Sequence, residues 1–434
     1  RGVIFGKKFV NDFGDRRSIR SLVTYLSRLG DKVSIVDLVS EFEEILDDEW
    51  VREILSNYQE SYSNRYLVDY RGEYYKSCGF GFDREMSDIL VYADSTLNLI
   101  DGSSIWIQAL SLCLAERSRN VTVLCKDNLT NHQLSGQLIN DSRIKLVQPK
   151  DFGYKTAIDP SLAAQFIDII DSSHGGFGAI ICRGLDLSLE VRKFSSLRNR
   201  VYFYLSDYYR IENNSRVVKE EFLNNISDLN SFARGFLCQT IQIADEFVDK
   251  FEIPRNKTCL LPPIIPTNTT KRKTVNKDDS GKFKIGYSGK FDPNWGIYEL
   301  IETCEKLISD GLEIELHIIG GKFNRGSEKN SNFVKEIRER FESENWIFWH
   351  GSKPRMETAK IMSNMDLSWC FRPSLLEDNT LEISTKILEA IDMRIPLLAF
   401  PNEVNKGLLG KHPKFLAKNV DECVEALVQI IQGG

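Results

Sequence analysis

Late in the chain, Glu382, Ile383, Ser384, Thr385, Lys386, Ile387, Leu388 and Glu389 lead into Ala390 and then, past Pro396, into the apolar run Leu397 to Phe400. The segment combines a loop carboxylate, a helix start built from Ser384, Thr385 and Lys386, and a second carboxylate about one turn further in. A helix start presents backbone N–H groups without intrahelical partners and the positive end of the helix dipole, so it neutralises an anion such as a diphosphate. Lys386 adds a full charge there, and a carboxylate further along accepts hydrogen bonds from sugar hydroxyls. That chemistry suits a sugar attached to a phosphate. The same residues also spell an ordinary capped helix with a glutamate facing water, so the surrounding chain has to choose.

At 434 residues the chain is too long for one core and implies two or three domains. Its 42% hydrophobic and 27% charged content is that of a soluble globular protein. A net charge of −6 argues against a nucleic-acid partner, whose phosphates call for a basic surplus. No apolar run is long enough to span a bilayer and no signal-peptide pattern opens the chain, which leaves room for peripheral membrane contact only. The chain starts at Arg1 instead of Met, which reads either as a trimmed start or as a piece of something longer. Nine scattered cysteines without a CxxC pair, and five histidines without ligand spacing, predict neither a disulfide framework nor a structural metal, and favour a reducing cytoplasmic setting.

The elements that must position the late segment are those of an α/β chain. From residue 86 on, short apolar runs alternate with helical periodicity, which predicts βαβ units and a parallel sheet. Strands are predicted at Ile89 to Tyr92, Val121 to Leu124, Ala179 to Cys182, Val201 to Leu205 and Phe236 to Cys238, in a first lobe spanning 86–266. Residues 267–282 are polar and aperiodic and read as a linker. In 283–434 the alternation restarts, with strands predicted at Lys284 to Tyr287, Ile314 to Ile319, Trp346 to Trp349, Leu367 to Cys370 and Pro396 to Phe400. Two doubly wound lobes place ligands at the carboxyl ends of their strands, in a cleft. Residues 1–85 hold another βα-like unit, an acidic helical stretch and a Tyr-rich run from Tyr58 to Tyr75, and form an additional N-terminal α/β segment.

Four places resemble the glycosyltransferases with two Rossmann-like lobes facing a central cleft, the GT-B architecture, and among them the retaining GT4 family. They are Ile89 to Tyr92 with Ile100 to Trp106; Leu261, Pro262 and Pro263; Tyr287 to Lys290 with Trp295 and Gly296; and Ser384 to Ala390. The resemblance implies that a loop with Gly102 and Ser103 closes over a donor diphosphate, where glycine allows close backbone approach. It implies that Gly289 and Lys290 meet phosphate after the first strand of the second lobe. Trp295 stands where the family has a second lysine, so Lys386 takes part of that load. Ser384 and Thr385 supply the helix start, Glu389 binds ribose, and His350 lines the base pocket. The family's paired glutamates stand one position further apart than Glu382 and Glu389, which are seven apart. Glu382 is the nearest candidate for touching the donor sugar, with Glu377 and Asp378 as alternatives. Arg394 replaces the usual glycine in the turn before Pro396.

Cys182, Arg183 and Gly184 end a strand where many relatives place a histidine; Arg183 reads as a charge-stabilising catalytic candidate or as a surface arginine. His174 and Asp207 are weaker candidates for the cleft. By resemblance, the chain is a hexosyltransferase that needs no metal and no cofactor beyond a UDP- or GDP-linked sugar. The acceptor is a glycan, lipid-linked or protein-linked, or a cell-surface polysaccharide, and the place is the cytoplasm or the inner face of the membrane. A nucleotide-sugar epimerase uses the same scaffold, and a non-catalytic binding protein is the third reading. A nicotinamide dehydrogenase is disfavoured because no strand is followed by GxGxxG.

Overall fold

The computed structural model describes residues 88–116, 118–212, 215–265, 281–323, 329–409 and 415–432. The segment read at 1–85 and all but the last two residues of the linker read at 267–282 lie outside them. The described residues form two compact units, one of residues 88–265 with Leu381–Ile383, the other of residues 281–380 with 384–432.

In the first unit the chain runs through β1 (Ile89–Ala93), α1 (Gly102–Ala115), β2 (Val121–Leu124), α2 (Ser135–Ile139), β3 (Ile144–Val147), α3 (Pro160–His174), β4 (Ala179–Arg183) and α4 (Leu185–Val191). It continues through β5 (Val201–Tyr204), β6 (Tyr209–Glu212), β7 (Ser215–Val218), α5 (Glu220–Phe232), β8 (Gly235–Cys238), α6 (Ile241–Asp249) and β9 (Thr258–Leu260). Seven strands form a parallel sheet in the order β3-β2-β1-β4-β5-β8-β9. A sheet covered on both faces needs strands that are apolar throughout, and Leu90, Val91 and Tyr92 of β1 are fully buried. Trp106, Leu110 and Leu114 of α1 join Val91 and Val123 in one core.

The antiparallel hairpin β6–β7 was not foreseen. Its strands are short and largely exposed, and what holds them is ionic: Arg216 of β7 donates to Glu246 of α6 at 2.7 Å, and the Tyr208 hydroxyl donates to the same carboxylate at 2.5 Å.

In the second unit the order is β10 (Phe283–Ser288), α7 (Ile297–Ser309), β11 (Ile314–Ile319), α8 (Lys329–Ser343), β12 (Ile347–Trp349), α9 (Arg355–Met362), β13 (Leu367–Trp369), α10 (Ser374–Glu377), α11 (Thr385–Asp392), β14 (Leu397–Leu398), α12 (Glu403–Leu409) and α13 (Val420–Gln432). The parallel sheet runs β12-β11-β10-β13-β14. Ile297, Leu300, Ile301, Cys304 and Leu307 recur at helical spacing along α7 and pack on Ile285, Leu316 and Ile318 and on Cys423 and Leu427 of α13. The strand predicted at Pro396 to Phe400 is shorter because Ala399 leaves the sheet to bridge Leu416.

Among the described residues, Cys113, Cys125, Cys182, Cys238, Cys304, Cys370 and Cys423 carry free thiols, whereas Cys259 is disulfide-bonded. The expectation of a chain without a disulfide is corrected there, because scattered spacing does not report which sulfurs meet in space.

Arg394 follows α11 with φ 58°, in the left-handed region. The turn therefore keeps the geometry a glycine takes without strain, although an arginine fills it. Arg394→Gly is expected to raise the unfolding free energy by about 0.5–1 kcal/mol, the relief of strain exceeding the added freedom of the unfolded chain. A lower midpoint in chemical denaturation would contradict this.

Candidate functional site

At the carboxyl ends of the second unit's strands, three loops meet backbone to backbone. Gly289, after β10, donates its N–H to the Ile319 carbonyl, and Gly320, after β11, donates to the Gly351 carbonyl beyond β12, both at 2.9 Å. A Cβ on Gly320 would stand 2.1 Å from the Gly289 oxygen, so no side chain fits at that crossing.

Helix α11 opens beside this platform. Ser384 is its N-cap in an extended conformation, but its side chain makes no capping hydrogen bond, so the first turn keeps its unsatisfied positive end. Lys386, in that turn, donates from Nζ to the Tyr287 hydroxyl at 3.0 Å and sits 4.2 Å from the Tyr287 ring centroid and 5.5 Å from that of Trp295. The Tyr287 hydroxyl donates in turn to the Lys290 carbonyl at 2.6 Å. The Lys386 stem crosses over Gly289, where a Cβ would come within 2.9 Å of Cε. The fold thus brings Gly289, Lys290, Ser384, Thr385 and Lys386 together. Trp295, read from the sequence as a lost cation, offers its ring to the ammonium of Lys386, a contact that steadies a cation without neutralising it.

Glu389 lies less than one turn beyond Lys386. Burial pushes its carboxyl above the ordinary range, against the pull of Arg355 and Lys386. His350 stacks on His317 of β11 with Nε2 3.1 Å from Nδ1 of that ring, so one imidazole donates the shared proton to the other. Burial holds both rings below the usual histidine range.

Glu377, considered above as an alternative for sugar contact, is corrected. Its side chain is 1% exposed and pairs with Nε of Arg372, and it accepts hydrogen bonds from Nδ2 of Asn402 and Asn405. It faces the protein.

Glu382 groups with the first unit. Thr240 Oγ1 donates to the Leu381 carbonyl at 2.7 Å, and Gln239 accepts from the Ile383 N–H at 2.8 Å. Gly102 and Ser103 form the first turn of α1, where the Asp101 carboxylate accepts the N–H groups of Ser103 and Ser104 at 3.1 and 3.0 Å and Ser104 caps back onto the Asp101 N–H. Of the two amides read as facing a diphosphate, that of Ser103 already meets a protein carboxylate. Arg183 ends β4, with its guanidinium carbon 5.2 Å from the Trp106 ring and 5.7 Å from the Tyr204 ring. Asp207 caps α4 by accepting the Leu185 N–H at 2.9 Å. His174 pairs with Asp88 at 2.9 Å, before the amino end of β1, so it stands at the opposite end of the sheet from Arg183.

Residues 282–433 match the family model described as Glycosyl transferases group 1. No curated protein sequence matches the chain. Among solved structures it is similar to HepE of Anabaena in complex with UDP and glucose, at TM-score 0.58 and 14% identity over 79% of this chain and 90% of that one. It is also similar to sucrose-phosphate synthase of Thermosynechococcus elongatus, at TM-score 0.56 and 13% identity over 80% and 90%. A UDP-forming trehalose-phosphate synthase of Burkholderia xenovorans aligns at TM-score 0.54 and 13% identity over 80% and 92%. The second unit thus carries the match to the glycosyl transferases group 1 family model, and the chain has the two-lobed Rossmann-like fold of the GT-B glycosyltransferases.

Proposed function

We propose that this chain is a retaining, metal-independent glycosyltransferase that moves a sugar from a nucleotide-linked donor to a glycan or cell-surface polysaccharide acceptor on the cytoplasmic side of a membrane. The observation that carries the reading is the start of α11: a helix N-terminus without a side-chain cap, with Lys386 held over the Gly289 loop next to Lys290. As the glycosidic bond breaks, negative charge gathers on the diphosphate, and preorganised dipoles and cations at that point are the largest lever a protein has. Glu389 takes the ribose hydroxyls and His350 borders the base. The departing phosphate accepts the acceptor's proton on the face it leaves, so no protein nucleophile takes part. The presence of UDP and glucose in the HepE complex supports a UDP-linked donor.

Calorimetry with UDP and GDP tests the reading. One nucleotide is expected to bind, to raise the melting temperature, and to lose affinity in Lys386→Ala; at 100 times its dissociation constant the stabilisation is about 2.7 kcal/mol. A chain that binds neither is a non-catalytic scaffold.

A further inference from the structure

We propose that Arg183 anchors an oxyanion carried by the acceptor saccharide, a phosphate ester or a carboxylate. The inference rests on the transfer reading above, and its site lies within the first unit. Arg183 stands at the carboxyl end of β4, the end at which doubly wound sheets hold ligands. The rings of Trp106 and Tyr204, 4.8 Å apart, form an aromatic bed for its guanidinium. The other partly buried arginines of this unit have acids: Arg200 pairs with Asp171, Arg192 with Asp228, Arg216 with Glu246 and Arg255 with Asp245. Among the described residues no carboxylate pairs with Arg183, and its Nη1, shut off from water, has no acceptor.

Trp106 is 3% exposed, and its indole Nε1 likewise lacks an acceptor. Unmade hydrogen bonds on buried donors are unfavourable, so this cluster is short of acceptors and carries one uncompensated positive charge. An oxyanion supplies both needs, and the guanidinium fork matches two oxygens of a carboxylate or phosphate. A hydroxyl would leave the charge unbalanced. Gln239 ties the bed to the Glu382 segment, donating to the Tyr204 hydroxyl at 3.2 Å and accepting from the Ile383 N–H at 2.8 Å.

The test is calorimetry on the full chain with a hexose 6-phosphate, a hexuronate and the parent hexose, alongside UDP. At least one charged saccharide is expected to bind about tenfold or more tighter than the hexose, and the tighter of the two assigns phosphate or carboxylate. Arg183→Gln is expected to remove that preference with UDP affinity unchanged. If Arg183→Gln fails to fold, Arg183→Lys keeps the charge but loses the fork, and must weaken the charged saccharide. Equal binding of charged and neutral saccharides, or an unaltered preference in the variants, overturns the proposal. Binding of UDP or GDP with no effect at Arg183 defeats this proposal alone, whereas binding of neither nucleotide defeats the transfer reading.

Discussion

Replacing Lys290 and Lys386 together with alanine is expected to lower turnover by at least about 10³-fold while the far-ultraviolet circular dichroism and melting temperature stay close to those of the parent. Each preorganised charge aimed at a developing anion is worth about 10²–10³ in rate, and groups that act as a unit do not add in full. The fold should survive because Lys386 contributes a hydrogen bond and a ring contact at the surface of a core that Tyr287 and Phe291 fill without it. The single Lys386→Ala variant should carry most of the loss, since Trp295 brings a ring and no charge to the same spot. Measured with donor and acceptor in excess, undiminished turnover in the double variant would remove the proposed phosphate site.

Glu377→Ala is expected to destabilise the second unit by about 3–5 kcal/mol, the range seen when one partner of a buried ion pair is deleted. Both side chains of the pair are largely withdrawn from water, at 1% exposure for Glu377 and 16% for Arg372, so the deletion strands a guanidinium. It also leaves the Nδ2 groups of Asn402 and Asn405 without their carboxylate. For a unit of this size the melting temperature should fall by about 10 °C. Removing both charges, as Arg372→Met with Glu377→Leu, should recover most of the loss, since buried pairs are often replaceable by apolar residues of similar volume. If Glu377→Ala melts within a few degrees of the parent, that carboxylate is solvated in solution and regains its candidacy for sugar contact.

The parallel strands were legible because a doubly covered sheet writes itself as unbroken apolar runs; β4 and β11 were read almost to the residue. The β6–β7 hairpin was not, since its short, exposed strands carry little apolar signal and depend on Arg216 meeting Glu246 thirty residues later. The same limit applied at the site. Ser384, Lys386 and Glu389 could be read as neighbours on one helix start, but the contact between Lys386 and Tyr287 spans 99 residues and no local pattern encodes it. Trp295 was legible only as a substitution, and its ring contact with the ammonium appears only in three dimensions. Glu377 looked like a loop acid because its partners Asn402 and Asn405 lie about 25 residues away, although Arg372 was close enough to suggest a pair. Asp101, with Ser104 three positions on, held a legible capping signal that passed unread beside the glycine.

The crossing of Gly289 and Gly320 bears on how this lobe deforms. With no side chain between them to act as a cushion, the segments after β10 and β11 press carbonyl against α-carbon, and the second is bonded onward to the turn at Gly351. A push on any of the three travels through peptide planes instead of rotatable side chains. The ledge beside Lys386 therefore tilts as one plate.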